Sequence, residues 1–206
     1  MNNSVRFVFV LFQSTQDQRR RAWDIVIDNT QKNRGYGAAA NVGIKKALDD
    51  GAEWVVVCNQ DIFLTKKDIE KLNKTLHDSE PGILGPEVGS FDKKRWSTKQ
   101  TVGGPIDYIS GSCMAIHNDV FKKIGFFYEP YFMYYEDADF SVRAKKSGFP
   151  LHHIELPEFL HKNNVSNEKT WYLARNHLLF VLRQAPWSIK LHELFRLPKT
   201  LYEYWR

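Results

Sequence analysis

The sequence holds only two cysteines in 206 residues, and its apolar runs are short. A bilayer-spanning helix needs about 20 consecutive apolar residues, and "VRFVFVLF" (Val5 to Phe12) supplies eight. A membrane-spanning helix is therefore excluded. Cys58 and Cys113 lie in separate apolar stretches without C-x-x-C spacing, so a zinc ribbon or a redox pair is not indicated, and two buried free thiols are expected. There is no internal repeat and no low-complexity segment. Zinc-finger spacing and RNA-binding signatures are missing, and the one block of like charge is Arg19 to Arg21, so no nucleic-acid partner is expected. The first residues lack a basic segment followed by a long apolar stretch and a small-residue cleavage site. That reads as no secretion signal and a cytoplasmic location. The charge imbalance is small and basic, 29 Lys and Arg against 24 Asp and Glu, net +5. This suits a polyanion, an anionic membrane or a phosphorylated small molecule, without choosing among them.

What is present points to an α/β domain. "VRFVFVLF", "WDIVI" and "EWVVVC" are nearly continuous apolar runs, the pattern of parallel strands covered on both faces. "GAAANVGIKKALDDG" between the last two predicts a helix stopped by Gly51. Thr65 followed by Asp68 predicts a capped helix with Ile69, Leu72 and Leu76 on one face. "GILGPEV" and "DYISGSCMAI" read as further strands. Ser90 to Gly104 between them is polar and reads as a mobile loop. Gly125 and Gly148 are the expected stops of two more helices, "PLHHI" and "EFLH" read as short strands, and the last third is helical. The expectation is one domain, 1–206, with a mostly parallel central sheet flanked by helices.

Three places carry chemistry. Asp28 and Asn29 end the second strand, and the turn Gly35 to Gly37 opens the next helix, where free N–H groups suit an anion. A structural turn with an Asx cap reads equally well. "VVVCNQD" runs a buried strand into Asn59, Gln60 and Asp61. A carboxylate at that end of a strand suits a divalent cation on a diphosphate, and the plain alternative is the start of a loop. "FMYYEDADF" packs Glu136, Asp137 and Asp139 behind bulky side chains, which suggests a working site rather than an acidic cluster serving the helix dipole.

The order of these motifs resembles family 2 glycosyltransferases of the GT-A fold, in the style of the rhamnosyltransferase-like branch. The residues that carry it are strand–"DN", "N-x-G-x-x-x-A-x-N-x-G" from Asn33, strand–"N-x-D" from Asn59, "GSCMAI" from Gly111, "F-x-x-x-E-D-x-D-F-x-x-R-A-x-x-x-G" from Phe132, then His161 and "RN" at Arg175. The resemblance spans about Asp28 to Asn176. It implies a nucleotide-sugar-binding half at 1–104, an acceptor and catalytic half at 105–170, and C-terminal helices at 171–206. It places Asp28, Asn29, Asn33, Arg34, Gly35, Asn41, Asn59, Gln60 and Asp61 on the donor, with Asp28 at the nucleoside. Gly111 and Ser112 would line the sugar and acceptor cleft. A divalent metal, Mn²⁺ or Mg²⁺, would meet Asp61 and His161. Asp137 would be the catalytic base and Glu136 would help bind the acceptor, with Asp139 left to the helix start. The implied reaction moves a hexosyl or deoxyhexosyl group from a UDP- or dTDP-sugar to a glycan or lipid-linked acceptor, with inversion. A nucleotidyltransferase on a related fold and a non-catalytic nucleotide- or carbohydrate-binding module are the rival readings.

One segment departs from that pattern. The stretch after the first strand leaves about ten residues for a parallel crossover, so its helix should be one turn or absent. "LHELFRLPKTLYEYWR" places Leu191, Leu194, Phe195, Leu201, Tyr202 and Trp205 near one stripe. Packing on the core, a homodimer contact or peripheral attachment to an anionic membrane would each use it. His152 and His153 are adjacent in a strand, point to opposite faces, and read as structural.

Overall fold

The computed structural model describes residues 4–13, 25–101, 103–161 and 170–205. The short first connection and the Arg19 to Arg21 block lie outside the described residues.

The chain runs β1 (Val5–Leu11), β2 (Ile25–Asp28), α1 (Tyr36–Asp49), β3 (Trp54–Asn59), β4 (Ile62–Phe63), α2 (Lys66–His77), β5 (Ile83–Gly85), β6 (Val88–Phe91) and β7 (Thr98–Thr101). It continues with β8 (Tyr108–Ile109), β9 (Cys113–His117), α3 (Asn118–Ile124), a 3-10 turn at Glu129–Tyr131, α4 (Glu136–Lys146), β10 (Leu151–His153), β11 (Leu160–His161), α5 (Thr170–Gln184) and α6 (Trp187–Trp205). Six strands form the main sheet in the order β10-β5-β9-β3-β1-β2. All neighbours are parallel except β9, which is antiparallel to both β3 and β5.

Continuous apolar strands need cover on both faces. On one face, Leu72 and Leu76 of α2 pack against Phe7, Val56 and Leu84. On the other, Ile44 of α1, Phe121 of α3 and Phe140 of α4 pack against Val8, Val55 and Ile116. Thr65 caps α2 by accepting from the Asp68 amide, and the Asp68 carboxylate accepts from the Thr65 amide in return. Cys58 and Cys113 are opposite each other in β3 and β9 as buried free thiols.

Two expectations need correction. "DYISGSCMAI" is not one strand: β8 pairs with β6 in a second, three-stranded sheet, β9 joins the main sheet, and Ser110 to Ser112 turn between them. Ser90 to Gly104, read as a mobile loop, contains a hairpin in which β6 pairs with β7. Its aromatics explain the difference. Phe91 stacks with Trp96 and Tyr108, and Phe91 and Trp96 both meet Phe180 of α5. Arg95 at the hairpin tip reaches Glu193 and Thr200 of α6 at 3.3 and 3.0 Å. Those partners are distant in sequence, so no local pattern reveals them.

Candidate active site

The mixed sheet brings the ends of five strands to one rim. β1, β2 and β3 are parallel and finish there, which sets Asp28 and the Asn59–Asp61 segment two strand spacings apart, about 10 Å. β9 is antiparallel to β3 and starts there, with Asn59 N–H donating to the Ser112 carbonyl at 2.8 Å. β5 is antiparallel to β9, so its end delivers Glu87 to the same rim.

Asp61 and His161 meet because β4 and β11 pair antiparallel, with Ile62 opposite His161. His161 Nε2 lies 3.6 Å from Asp61 Oδ2, and its Nδ1 lies 2.9 Å from Glu87 Oε2. That is the arrangement in which a carboxylate orients an imidazole and leaves its other nitrogen for a cation. Glu87 also accepts a short hydrogen bond from the Ser112 hydroxyl. Sequence reading passed over Glu87, although a carboxylate directly after an apolar strand is the signal that singled out Asp61. No group of three or more His, Cys, Asp or Glu side chains placed to hold a metal occurs among the described residues. The donor chemistry nonetheless fits: one carboxylate, one oriented imidazole, and a buried Asn59 Oδ1 with no partner among the described residues. A sparse protein set is what Mg²⁺ and Mn²⁺ take when a diphosphate completes the shell.

The start of α4 meets the same rim at Gly111, next to Ser112. Asp137 is half-buried, and its Oδ2 accepts from Gly111 N–H at 2.8 Å while Oδ1 accepts from Ala138 N–H at 2.7 Å. A Cβ on Gly111 would come within 3.2 Å of Asp137 Cβ, so the residue there must be small. The Gly111 carbonyl accepts from the buried Tyr36 hydroxyl at 2.7 Å, and burial pushes the Tyr36 pKa well up, so it remains a donor. Glu136 does not stand on the acceptor side as expected. It is 6% exposed and packs under the start of α1, close to Gly37. Its Oε2 is buried with no partner among the described residues, and burial with the nearby Asp137 charge raises its pKa to about 8. Burial also raises Asp137, but the Gly111 and Ala138 N–H groups oppose that. The two N–H donors on Asp137 favour its charged form, and burial favours the protonated form of Glu136.

Asp139 does neither job. It is fully buried and accepts from Arg143, Arg183, Gln184 and Tyr131 at 2.9, 3.1, 2.8 and 3.3 Å, tying α4 to α5. The Phe132 to Tyr135 segment ahead of α4 is unusual. Phe132, Tyr134 and Tyr135 all have positive φ, at 66, 66 and 72°, a region that costs non-glycine residues free energy. Asn176 of α5 holds it there. Its fully buried Nδ2 donates toward the carbonyls of Tyr131, Met133 and Tyr134 at 2.7, 2.5 and 3.0 Å. Arg175 donates to Asn176 Oδ1 and to the Pro130 carbonyl, both at 2.9 Å. The sequence showed "RN" as a motif but not this function, because its partners lie more than 40 residues away.

The donor-side residues divide into two kinds. Asp28 and Arg34 are exposed at the rim. Asn29 and Asn33 build the turn: Asn29 accepts from Arg34 N–H and Asn33 from Gly35 N–H, each at 3.0 Å. Gln60 accepts from Phe12 N–H at 2.7 Å. Asn41 needs correction as a donor residue, since it is buried and its amide is used by Phe127 and Glu129. The open anion cradle expected at the start of α1 also needs correction. Tyr36 N–H donates to the Phe132 carbonyl at 2.6 Å, and Gly35 sits so close to Phe132 that a Cβ would lie 2.5 Å from that oxygen.

The model of "Glycosyl transferase family 2" matches residues 13–140. The chain belongs to that family. A low-salt glycan biosynthesis hexosyltransferase, Agl10, of Haloferax volcanii is 29% identical over 187 residues, covering 78% of this chain and 61% of that protein. An N-acetylglucosaminyl-diphospho-decaprenol L-rhamnosyltransferase of Mycobacterium tuberculosis is 26% identical over 192 residues, covering 72% and 62%. The chain thus spans about three-fifths of the length of these relatives. Among solved structures, a Pyrobaculum calidifontis mannosyltransferase in complex with GDP-Man and Mn²⁺ superimposes with a TM-score of 0.57 at 13% identity, covering 98% of this chain and 72% of that one. Staphylococcus aureus TarS 1–349 in complex with UDP gives 0.51 at 17% identity, covering 92% and 61%. The family 2 chain described here therefore has the GT-A fold.

Proposed function

We propose that the chain transfers a hexosyl or deoxyhexosyl group from a UDP- or dTDP-sugar to an acceptor hydroxyl, with inversion. The observation that carries this is Asp137: a half-buried carboxylate held by Gly111 N–H, at the rim that also carries Asp61 and His161. Inversion needs one base on the acceptor side, and Asp137 is the one of the three acids that is not buried. It takes the hydroxyl proton as the oxygen attacks the anomeric carbon. The bond from that carbon to the diphosphate breaks, and its electron pair leaves with the nucleoside diphosphate. Asp61 and His161 would hold a divalent cation, which supplies charge neutralisation at the departing diphosphate. Asp28 contacts the nucleoside, because a carboxylate with no metal between repels phosphate. Glu136 keeps its proton beside Asp137, so the pair does not carry two charges.

Two relatives named for a hexosyl and a rhamnosyl transfer support the sugar class. The name of the second includes a diphospho-decaprenol acceptor, which makes a glycan on a lipid carrier the acceptor to try first. The experiment incubates the protein with nucleotide sugars, Mn²⁺ and such acceptors. Release of nucleoside diphosphate with glycosylated acceptor is expected. Pyrophosphate release would make it a nucleotidyltransferase, and binding without turnover a binding module; either result overturns the proposal.

A further inference from the structure

Buried polar side chains need partners, and in this chain those partners join elements distant in sequence. Glu193 and Thr200 of α6 face inward onto Arg95 of the β6–β7 hairpin. Leu191, Leu194, Phe195 and Tyr202 are exposed, so the core packing that the sequence allowed for them does not occur. The side chains of Leu201 and Trp205 lie outside the described residues. Ser112 is a joint of the same kind at the rim. It is 3% exposed, and its hydroxyl is turned to Glu87 instead of lining an open sugar cleft.

A carboxylate oxygen only accepts, so Ser112 Oγ donates to Glu87 Oε2. Ser112 Oγ then accepts from Ser110 Oγ at 3.1 Å, and Ser110 Oγ accepts from Ser112 N–H at 3.3 Å. Glu87 in turn has both oxygens against His161 Nδ1, at 3.1 and 2.9 Å. The hydroxyl thus stands directly behind the carboxylate that orients the imidazole. Backbone groups tie the same turn to the rest of the rim. The Ser112 carbonyl accepts from Asn59 N–H at 2.8 Å, two residues ahead of Asp61. Ser110 N–H donates to the Glu87 carbonyl at 2.9 Å, and Gly111 N–H donates to Asp137 Oδ2 at 2.8 Å. Three consecutive residues therefore touch both the metal corner and the base.

We propose that Ser112 is a positioning residue for both. Its hydroxyl holds Glu87, and through Glu87 the His161 ring, and the same bond holds the turn whose Gly111 amide aims Asp137. The link between the two is short. The peptide joining Gly111 to Ser112 is planar and stiff, so a shift of Ser112 moves Gly111. A hydrogen bond weakens steeply as its angle closes, and misplacing a catalytic group by about 1 Å costs roughly 10² in rate. Loss of the hydroxyl also takes from Glu87 Oε2 its Ser112 donor and lets the carboxylate turn away from His161 Nδ1. The role toward Asp137 rests on the proposed glycosyl transfer. The role toward His161 rests only on the cation that Asp61 and His161 are proposed to hold.

Ser112→Ala removes the hydroxyl and keeps the backbone bonds, and Ser112→Cys keeps a weaker donor of similar shape. Manganese titration of the whole chain with UDP present, followed by paramagnetic resonance, should show Mn²⁺ affinity about 3- to 10-fold lower in Ser112→Ala. That is short of the loss in Glu87→Gln, because the serine acts through Glu87. Ser112→Cys should fall between Ser112→Ala and the wild type. Ser112→Ala with Glu87→Gln should bind Mn²⁺ no more weakly than Glu87→Gln alone. With Mn²⁺ and donor saturating, kcat of Ser112→Ala should fall about tenfold with donor KM little changed. The acid limb of its pH profile should move up, since a misaligned Gly111 amide favours the charged form of Asp137 less. Unchanged melting temperatures show that the variants are folded; if Ser112→Ala does not fold, Ser112→Cys carries the same comparisons. Wild-type Mn²⁺ affinity in the folded variants overturns the proposal, as does a double variant whose losses simply multiply. Lower Mn²⁺ affinity with a wild-type kcat and pH profile also overturns it, because the base is then aimed without Ser112. Absence of Mn²⁺ binding in the wild type overturns both roles. A wild type that binds Mn²⁺ with UDP but transfers no sugar sinks the catalytic reading and the role toward Asp137 with it, and the titration alone then decides the role toward His161.

Discussion

Gly111 N–H and Asp137 Oδ2 stand 2.8 Å apart, and a Cβ on the glycine would come within 3.2 Å of Asp137 Cβ, a contact that Asp137 would have to shift to accept. The β8–β9 turn thus aims the base. Asp137→Asn keeps the shape and removes the basicity, so turnover should fall by roughly 10²–10⁴. Donor binding, followed by calorimetry, should stay within a few-fold. Gly111→Ala should reduce turnover in the same direction, because its methyl group displaces the carboxylate. Asp137→Asn turning over near the wild-type rate would remove this residue from the mechanism.

Glu87 and Asp61 hold the two nitrogens of His161 between them. Asp61→Ala should abolish the metal dependence of nucleoside-diphosphate binding, and His161→Ala should weaken it less. Glu87→Gln should lower Mn²⁺ affinity about 10- to 100-fold, as loss of an orienting partner does. Manganese titration followed by paramagnetic resonance, in the presence of UDP, reads all three. Unchanged affinity in Asp61→Ala would refute the metal corner.

Glu136 has its pKa raised to about 8 from an ordinary carboxyl value near 4.5. The folded chain therefore binds more protons than the unfolded chain between those values, and stability falls as pH rises through that window. Glu136→Gln carries no titrating group and should flatten the decline. Melting temperatures from pH 5 to 8.5 should drop by several degrees more in the wild type than in the variant. Parallel curves would show that Glu136 is ionised in the native protein.

Asn176 gathers three carbonyls of a backbone segment that contains three left-handed residues. Asn176→Ala leaves buried acceptors unpaired, at about 1–3 kcal/mol. It should lower kcat with little change in donor KM, since the segment aims the acids rather than the nucleotide. Asn176→Asp, which sets a carboxylate against carbonyl oxygens, should be worse than alanine. A change confined to donor KM would contradict this role.

Asp139 is the buried carboxylate between Arg143 and Arg183. Asp139→Asn should act on the fold, with a loss of about 3–5 kcal/mol in chemical denaturation. Whatever fraction stays folded should keep a pH profile of turnover like that of the wild type. A stable, inactive Asp139→Asn would move this acid into the chemistry.

Much was legible in the chain. Fully apolar strands, the Thr65–Asp68 cap and the glycine stops are local signals, and the elements they predict are present. The order of short motifs pointed to Asp28, Asp61, Gly111, Asp137 and His161, which lie at strand ends, at the turn into β9, in β11 and at a helix start, because such ends are written in adjacent residues. Which acid does what was not legible. Glu136 and Asp137 are neighbours in sequence, and only packing against Gly37 on one side and the Gly111 amide on the other separates a protonated carboxyl from an ionised one. The Ser90 to Gly104 segment looked like a loop until Phe91 and Trp96 met Phe180, and the α6 stripe looked like core until Glu193 and Thr200 took the inward side. Backbone periodicity depends on neighbours within a few residues, so sequence alone determined the elements and the rim they end on. Burial, proton placement and the outward turn of α6 depend on contacts between residues 26 to 105 positions apart, and only the tertiary structure decided them.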